Sequence, residues 1–302
     1  MRKDKLLNIY ANSERIKFNN ENKIVIMSDV HRGDGSYSDS LIGNRNIYFA
    51  ALSHYYKEDF TLIEAGDGDE LWKNKSYIDI AYNYKGIFRM LNLFKREKRL
   101  YLIYGNHDEK KSSKDFLNKQ IKKLQNVSEY FGKDFINLVK DMEMKEGLVL
   151  NYTPINKEIL IVHGHQVDFM NYEMCLVSRF LVRYIWRFMA GIAGFKEPTS
   201  PANNYKKGGI IDEKLEKWTK DNNICMICGH THKSRFPKVG EGLYFNDGCC
   251  VLPYSMSTIE INNGIISLVK WSTYVKEDAS LYIARNIIGG PERLEGYLKN
   301  TR

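Results

Sequence analysis

Six of the chain's seven histidines sit in short polar motifs, and each motif closes an apolar, β-branched run. Asp29-Val30-His31 follows Ile24-Val25-Ile26-Met27, and Gly66-Asp67 follows Thr61-Leu62-Ile63. Gly105-Asn106-His107-Asp108 follows Leu100-Tyr101-Leu102-Ile103. His163-Gly164-His165 follows Ile159-Leu160-Ile161-Val162, and Gly229-His230-Thr231-His232 follows Ile224-Cys225-Met226-Ile227. Runs this short and this apolar read as buried strands. Side chains able to bind a metal, placed at the ends of several such strands, converge on one sheet edge, where α/β proteins keep their chemistry. The pattern predicts a metal site, with two ions.

The donor types narrow the metal. Asp29-x-His31 supplies a carboxylate oxygen and an imidazole nitrogen to one ion. Asp67 has two carboxylate oxygens with which to bridge two ions. Asn106 offers a neutral amide oxygen, and His163, His230 and His232 offer imidazoles. Nitrogen and oxygen donors without thiolate suit manganese first, with iron or zinc as alternatives. Two ions about 3.5–4 Å apart polarise a phosphoryl group and hold a hydroxide for in-line attack.

Between the motifs, strands and helices alternate, which argues for a layered α/β fold. Residues 1–20 read as a short amphipathic helix and a polar turn. A Gly/Ser/Asp-rich loop over 33–40 precedes a helix at 44–57, a strand at 60–65, a helical stretch at 76–96 and a strand at 99–104. Residues 113–145 are helical and charged. Strands at 148–152 and 159–163 pair through Pro154-Ile155-Asn156-Lys157, and residues 196–209 form a linker. Tyr254–Ile261 and Ile265–Trp271 form a hairpin through Asn262-Asn263-Gly264.

Composition sets outer bounds. A chain of 302 residues, 43% hydrophobic and 27% charged, can bury a sizeable core as one domain. Five cysteines without a disulfide-like spacing fit a reducing cytoplasm. Cys225-Met226-Ile227-Cys228 has redox or metal spacing, but it lies in a strand-like run with no second pair nearby and reads as buried strand. His54, alone on its helix, reads as structural. The net charge of +8 permits an anionic substrate without selecting a partner. Its lysines, concentrated at 95–98, 110–114 and 119–123, read as helix exteriors and loop edges. No aromatic-and-basic motif supports nucleic acid.

The ordered set of five motifs resembles the calcineurin-like metallophosphoesterase family, and Asn246-Asp247-Gly248 resembles that family's Asn-x-Gly turn. The resemblance implies a four-layer α-β-β-α sandwich spanning 1–302 as one domain. It implies hydrolysis of a phosphate ester or pyrophosphate by a metal-bound hydroxide. It places Asp29, His31 and His232 on one ion and Asn106, His163 and His230 on the other, with Asp67 between. His107 is then the catalytic partner of the leaving oxygen, Asp108 orients it, and His165 stands behind the ligands. Glu70 occupies the last position of the family's Gly-Asp-x-x-Asp motif. With Trp72 two residues on, it resembles the UDP-diacylglucosamine pyrophosphatase branch. That branch carries arginine where this chain has His107, a departure that concerns the substrate and leaves the ligands whole.

Residues 171–195 are apolar around nearly the whole helical circumference, striped by Arg179, Arg183 and Arg187. Three arginines argue against a membrane span. Three readings stand: a core helix with one wet edge, a cap at 171–209 whose arginines bind substrate phosphate, or a helix on the inner membrane surface. The expected partner is a phosphorylated small-molecule or lipid-linked substrate, in a cytoplasmic protein or one peripheral to the membrane. Nuclease, protein phosphatase and non-catalytic scaffold are the other readings.

Overall fold

A computed structural model describes residues 4–124, 130–168 and 205–302. Two β-sheets lie face to face, each covered on its outer side by helices. The seven-stranded sheet runs β12-β11-β10-β2-β3-β4-β5 and the five-stranded sheet runs β1-β6-β7-β8-β9. The ranges are β1 Glu14–Phe18, β2 Ile24–Met27, β3 Thr61–Ala65, β4 Leu100–Ile103, β5 Met144–Lys145 and β6 Gly147–Tyr152. They continue with β7 Lys157–Val162, β8 Cys225–Cys228, β9 Tyr244–Asn246, β10 Ser255–Asn262, β11 Ile265–Val275 and β12 Leu281–Arg293.

The apolar runs lack a polar alternate because both faces of their strands are buried. In β2, Ile24 and Ile26 pack between the sheets, while Val25 and Met27 pack under the helices. In β8, Cys225 and Ile227 join the core between the sheets. Met226 and Cys228 face α1 (Lys5–Asn12) and α7 (Tyr205–Asn222). The seven-stranded sheet is covered by α2 (Arg45–Lys57), α3 (Tyr77–Asn83), α4 (Lys85–Arg96), α5 (Lys114–Leu124) and α6 (Tyr130–Val139). The result is the four-layer α-β-β-α sandwich.

Strand direction positions the site. β2, β3 and β4 are mutually parallel, as are β7, β8 and β9 in the other sheet. Their C-terminal ends therefore carry all five motifs to one edge, where the sheets meet. Antiparallel β10 and β11 pair from Ser255↔Ser272 to Asn262↔Ile265, with Asn263 and Gly264 at φ 53° and 68° in the turn.

Several boundaries differ from expectation. The N-terminal stretch holds strand β1 after its helix, parallel to β6. Glu14-Arg15-Ile16-Lys17-Phe18 is an edge strand with only Phe18 buried, so no apolar run marks it. The stretch 76–96 breaks at Tyr84 into α3 and α4, and 113–145 ends in the two-residue strand β5 beside β4. Strand β12 and a short helix α8 (Leu294–Leu298) close the chain. The expected linker at 196–209 becomes helix α7 from Tyr205. The rest of the expected cap, with Arg179, Arg183 and Arg187, lies outside the described residues. Among the described residues, no helix is long and apolar enough to cross a membrane.

Candidate metal centre

The site begins with strained backbone. Asp29, His31, Asp67, His230 and His232 all sit at φ between 49° and 68°. Left-handed backbone costs an L-residue roughly 1–2 kcal/mol, and such residues cluster where side chains must be aimed. Hydrogen bonds hold the turns to one another. Asp29 N donates to Gly66 O at 3.0 Å, His31 N to Asp67 O at 2.9 Å, and Gly229 N to His163 O at 3.1 Å. Gly66 adopts φ 99°, and a Cβ there would stand 2.5 Å from the His163 ring. No other residue fits that position.

Two groups of donor atoms face one another. In the first, His232 Nε2 lies 3.0 Å from Asp29 Oδ1 and 3.3 Å from His31 Nε2. His31 Nε2 is 3.7 Å from Asp29 Oδ1 and 3.8 Å from Asp67 Oδ2. In the second, His163 Nε2 lies 3.2 Å from Asp67 Oδ2, and the donor atoms of Asp67, His163 and His230 fall within 4.8 Å of one another. His163 donates from Nδ1 to the Ala65 carbonyl at 3.0 Å, a tautomer that leaves the Nε2 lone pair for the centre. His230 Nε2 also faces Asp168 Oδ2 at 3.3 Å. Asn106 is 2% exposed, and neither atom of its amide has a hydrogen-bond partner.

The donor chemistry of these residues fits a divalent metal. Asp29 Oδ1 and His163 Nε2 make no hydrogen bond although polar atoms crowd them. Buried nitrogens and oxygens facing one another at 3.0–3.8 Å form a cradle that a divalent cation would satisfy. Without one, protons fill the gap. Burial opposes charge on His31, yet the facing carboxylates of Asp29 and Glu70 and the charge of Asp67 raise its pKa to about 10. Burial likewise opposes charge on His163, and the carboxylates of Asp67 and Asp29 outweigh it, giving about 9. Asp67, despite burial, is held well below the carboxylate range by His163 and His107.

Asp67 does not turn both carboxylate oxygens to the donor groups. Asp67 Oδ1 accepts the His107 backbone N–H at 2.8 Å, so it is Oδ2 alone that faces both groups. The expected role of Asp108 also changes. Its carboxylate accepts from Gly105 N at 2.8 Å and Gly68 N at 3.1 Å and pairs with Lys111 at 2.9 Å. The carboxylate that orients His107 is Glu70, whose Oε1 lies 2.8 Å from His107 Nδ1 and whose Oε2 lies 3.3 Å from His31 Nδ1. Trp72 stacks on the His107 ring, centroids 4.2 Å apart at 22°. His165 is buried beside the His163 and His230 rings, at 5.3 Å and 6.3 Å.

Behind the centre lies a buried ion network that sequence reading missed. Arg32 grips both Glu64 oxygens at 2.6 Å and 2.7 Å and Asp69 Oδ1 at 2.7 Å. Lys111, only 1% exposed, pairs with Asp69 Oδ2 at 2.6 Å. The expectation that lysines 110–114 line an exterior therefore fails at Lys111. Asp168 was also missed, although it follows His163 by five residues. Cys225 and Cys228 are free, buried strand thiols, pushed upward by burial, Cys225 to about 12.

The fold and the site define an α/β protein with a candidate metal centre of nitrogen and oxygen donors. The chain belongs to the calcineurin-like phosphoesterase family, whose model matches residues 22–234. Among solved structures it is similar to Vps29 from Chaetomium thermophilum, at 10% identity over 88% of this chain and 96% of that one, with TM-score 0.38. It is also similar to 5'-nucleotidase from Candida albicans SC5314, at 13% identity over 91% of this chain and 53% of that one, with TM-score 0.33. No curated protein matches the chain.

Proposed function

We propose that the protein is a metal-dependent phosphoesterase that hydrolyses a phosphate ester or pyrophosphate at a dinuclear centre, with manganese as the favoured metal. The observation that carries the reading is Asp67 Oδ2, which faces His31 in one donor group and His163 in the other. Asp29, His31 and His232 would hold one ion; Asn106, His163 and His230 would hold the second. The ions, when bound, would polarise the phosphoryl oxygens and acidify water.

The chain's own residues supply the rest. His107 stands at the rim of the donor groups, 11% exposed at its side chain, where a leaving oxygen can reach it. Glu70 bonds its Nδ1, so the opposite nitrogen, Nε2, is the one presented to substrate. As an imidazolium, with Nδ1–H held by Glu70, His107 would give its Nε2 proton to the departing oxygen, which suits an ester with a poor leaving group. Trp72 keeps the ring in one plane. The substrate is proposed to be a phosphorylated small molecule or a lipid-linked one.

Hydrolysis of an aryl phosphate diester with added manganese tests the assignment. Asn106→Ala is expected to weaken metal binding and abolish turnover. His107→Ala is expected to bind metal normally and turn over about 10²–10⁴-fold more slowly. Survival of full activity in both variants would place the chemistry elsewhere.

A further inference from the structure

Ser28 sits between two carboxylates. Its Oγ is 2.6 Å from Asp29 Oδ2 and 2.6 Å from Asp247 Oδ1, and all three residues are fully buried. Both distances are normal for O–H···O bonds. A serine hydroxyl carries one hydrogen, so it satisfies one of the two carboxylates by donation. The other contact needs a second hydrogen, and that hydrogen must sit on a carboxyl group.

The surroundings decide which one. Asp29 Oδ2 already accepts the His230 backbone N–H at 2.7 Å, and Asp29 Oδ1 faces His232 Nε2 at 3.0 Å. Both favour the ionised form of Asp29. Asp247 has no such support, because its Oδ2 is buried without a hydrogen-bond partner. Two ionised carboxylates sharing one buried hydroxyl would repel, and the less supported one takes up the proton.

We propose that Asp247 is a neutral carboxylic acid that donates to Ser28 Oγ, so that Ser28 donates to Asp29 Oδ2 and holds Asp29 Oδ1 toward His31 and His232. Asp247 is then a positioning residue two hydrogen bonds from the centre. The direction of its acidity agrees: burial raises its pKa well above the carboxylate range, and the charge of Asp29 adds to that. The Ser28 bond and His163 oppose it and are outweighed. Neutrality also keeps a third negative charge away from the donor groups of Asp29 and Asp67. The positioning role rests on the proposed metal centre, whereas the proton on Asp247 does not depend on it.

Two measurements test the two parts. Infrared difference spectra of the metal-free protein at neutral pH, wild type against Asp247→Asn, are expected to show a protonated-acid carbonyl band that shifts in heavy water and is lost in the variant. Absence of that band in the wild type overturns the proposal whether or not the protein hydrolyses phosphate. Calorimetric titration with manganese then reads positioning. Asp247→Ala is expected to weaken one of two binding steps by about 10–100-fold. Asp247→Asn, whose amide donates to Ser28 as the acid does, is expected to bind as the wild type. Weakening in Asp247→Asn equal to that in Asp247→Ala, or no weakening in Asp247→Ala, overturns positioning. Should Asp247→Ala fail to fold, the spectra and Asp247→Asn still decide.

Discussion

His107 is held on two sides by residues close to Asp67 in sequence, Glu70 through its Nδ1 and Trp72 across its ring face. Removing the indole leaves the metal ligands in place but frees the imidazole to tilt, and a misplacement of about 1 Å can cost about a hundredfold. Trp72→Ala is therefore expected to slow hydrolysis by up to about a hundredfold for poor leaving groups. The loss should shrink for aryl leaving groups that depart without a proton, and Trp72→Phe should restore most of the rate. Rates across phosphates of rising leaving-group pKa measure this. A loss uniform across the series would mean that Trp72 supports the fold rather than His107. At this scale the candidate ligands were legible because each lies within a few residues of its strand end. Glu70 was visible only as a departure from a motif. Its replacement of Asp108 as the orienting carboxylate depends on the turn of a side chain across 37 residues of sequence.

The turns after β3 and β4 are laced by Arg32, Glu64, Asp69, Asp108 and Lys111, all at most 1% exposed. Desolvating these charges is costly, and the network survives because nearly every oxygen has a cation or N–H against it. Lys111→Met leaves Asp69 and Asp108 buried with less counter-charge. It is expected to lower stability by about 3–5 kcal/mol, read as a lower urea midpoint with an unchanged slope. Lys119→Met on the exposed face of α5 is the control, expected within about 0.5 kcal/mol of wild type. Equal effects would show that the network contributes nothing. In sequence the two lysines look alike, because Lys110 to Lys114 is a charged run with no apolar periodicity to mark one member as buried. Edge strand β1 was hidden for the converse reason, since pairing with β6, not burial of its side chains, makes it a strand.

Across the whole molecule, metal and protons compete for the same lone pairs. In the metal-free fold His31 keeps its proton to about 10 and His163 to about 9, against roughly 6.5 in an unfolded chain. Between those limits the folded metal-free chain binds more protons than the unfolded one, so its stability falls as pH rises through the window. Bound metal needs the same nitrogens deprotonated, so its affinity rises over that range. The increase in melting temperature on adding manganese is expected to grow from pH 6.5 to pH 8.5. A constant or shrinking increase would show that these histidines do not hold the metal.

What the amino-acid order by itself determined is local. Apolar runs of three or four residues, the period-2 alternation buried on both faces, and the polar motifs that end them are properties of neighbouring residues. They were enough for the layered architecture and for the sheet edge where the candidate donors meet. Only the tertiary structure decided which oxygen of Asp67 faces both donor groups and which carboxylate orients His107. It also decided that Lys111 lies inside and that Ser28 must share one hydrogen between Asp29 and Asp247. Each of these depends on the direction of side chains brought together from distant strand ends, and packing of two sheets sets that direction.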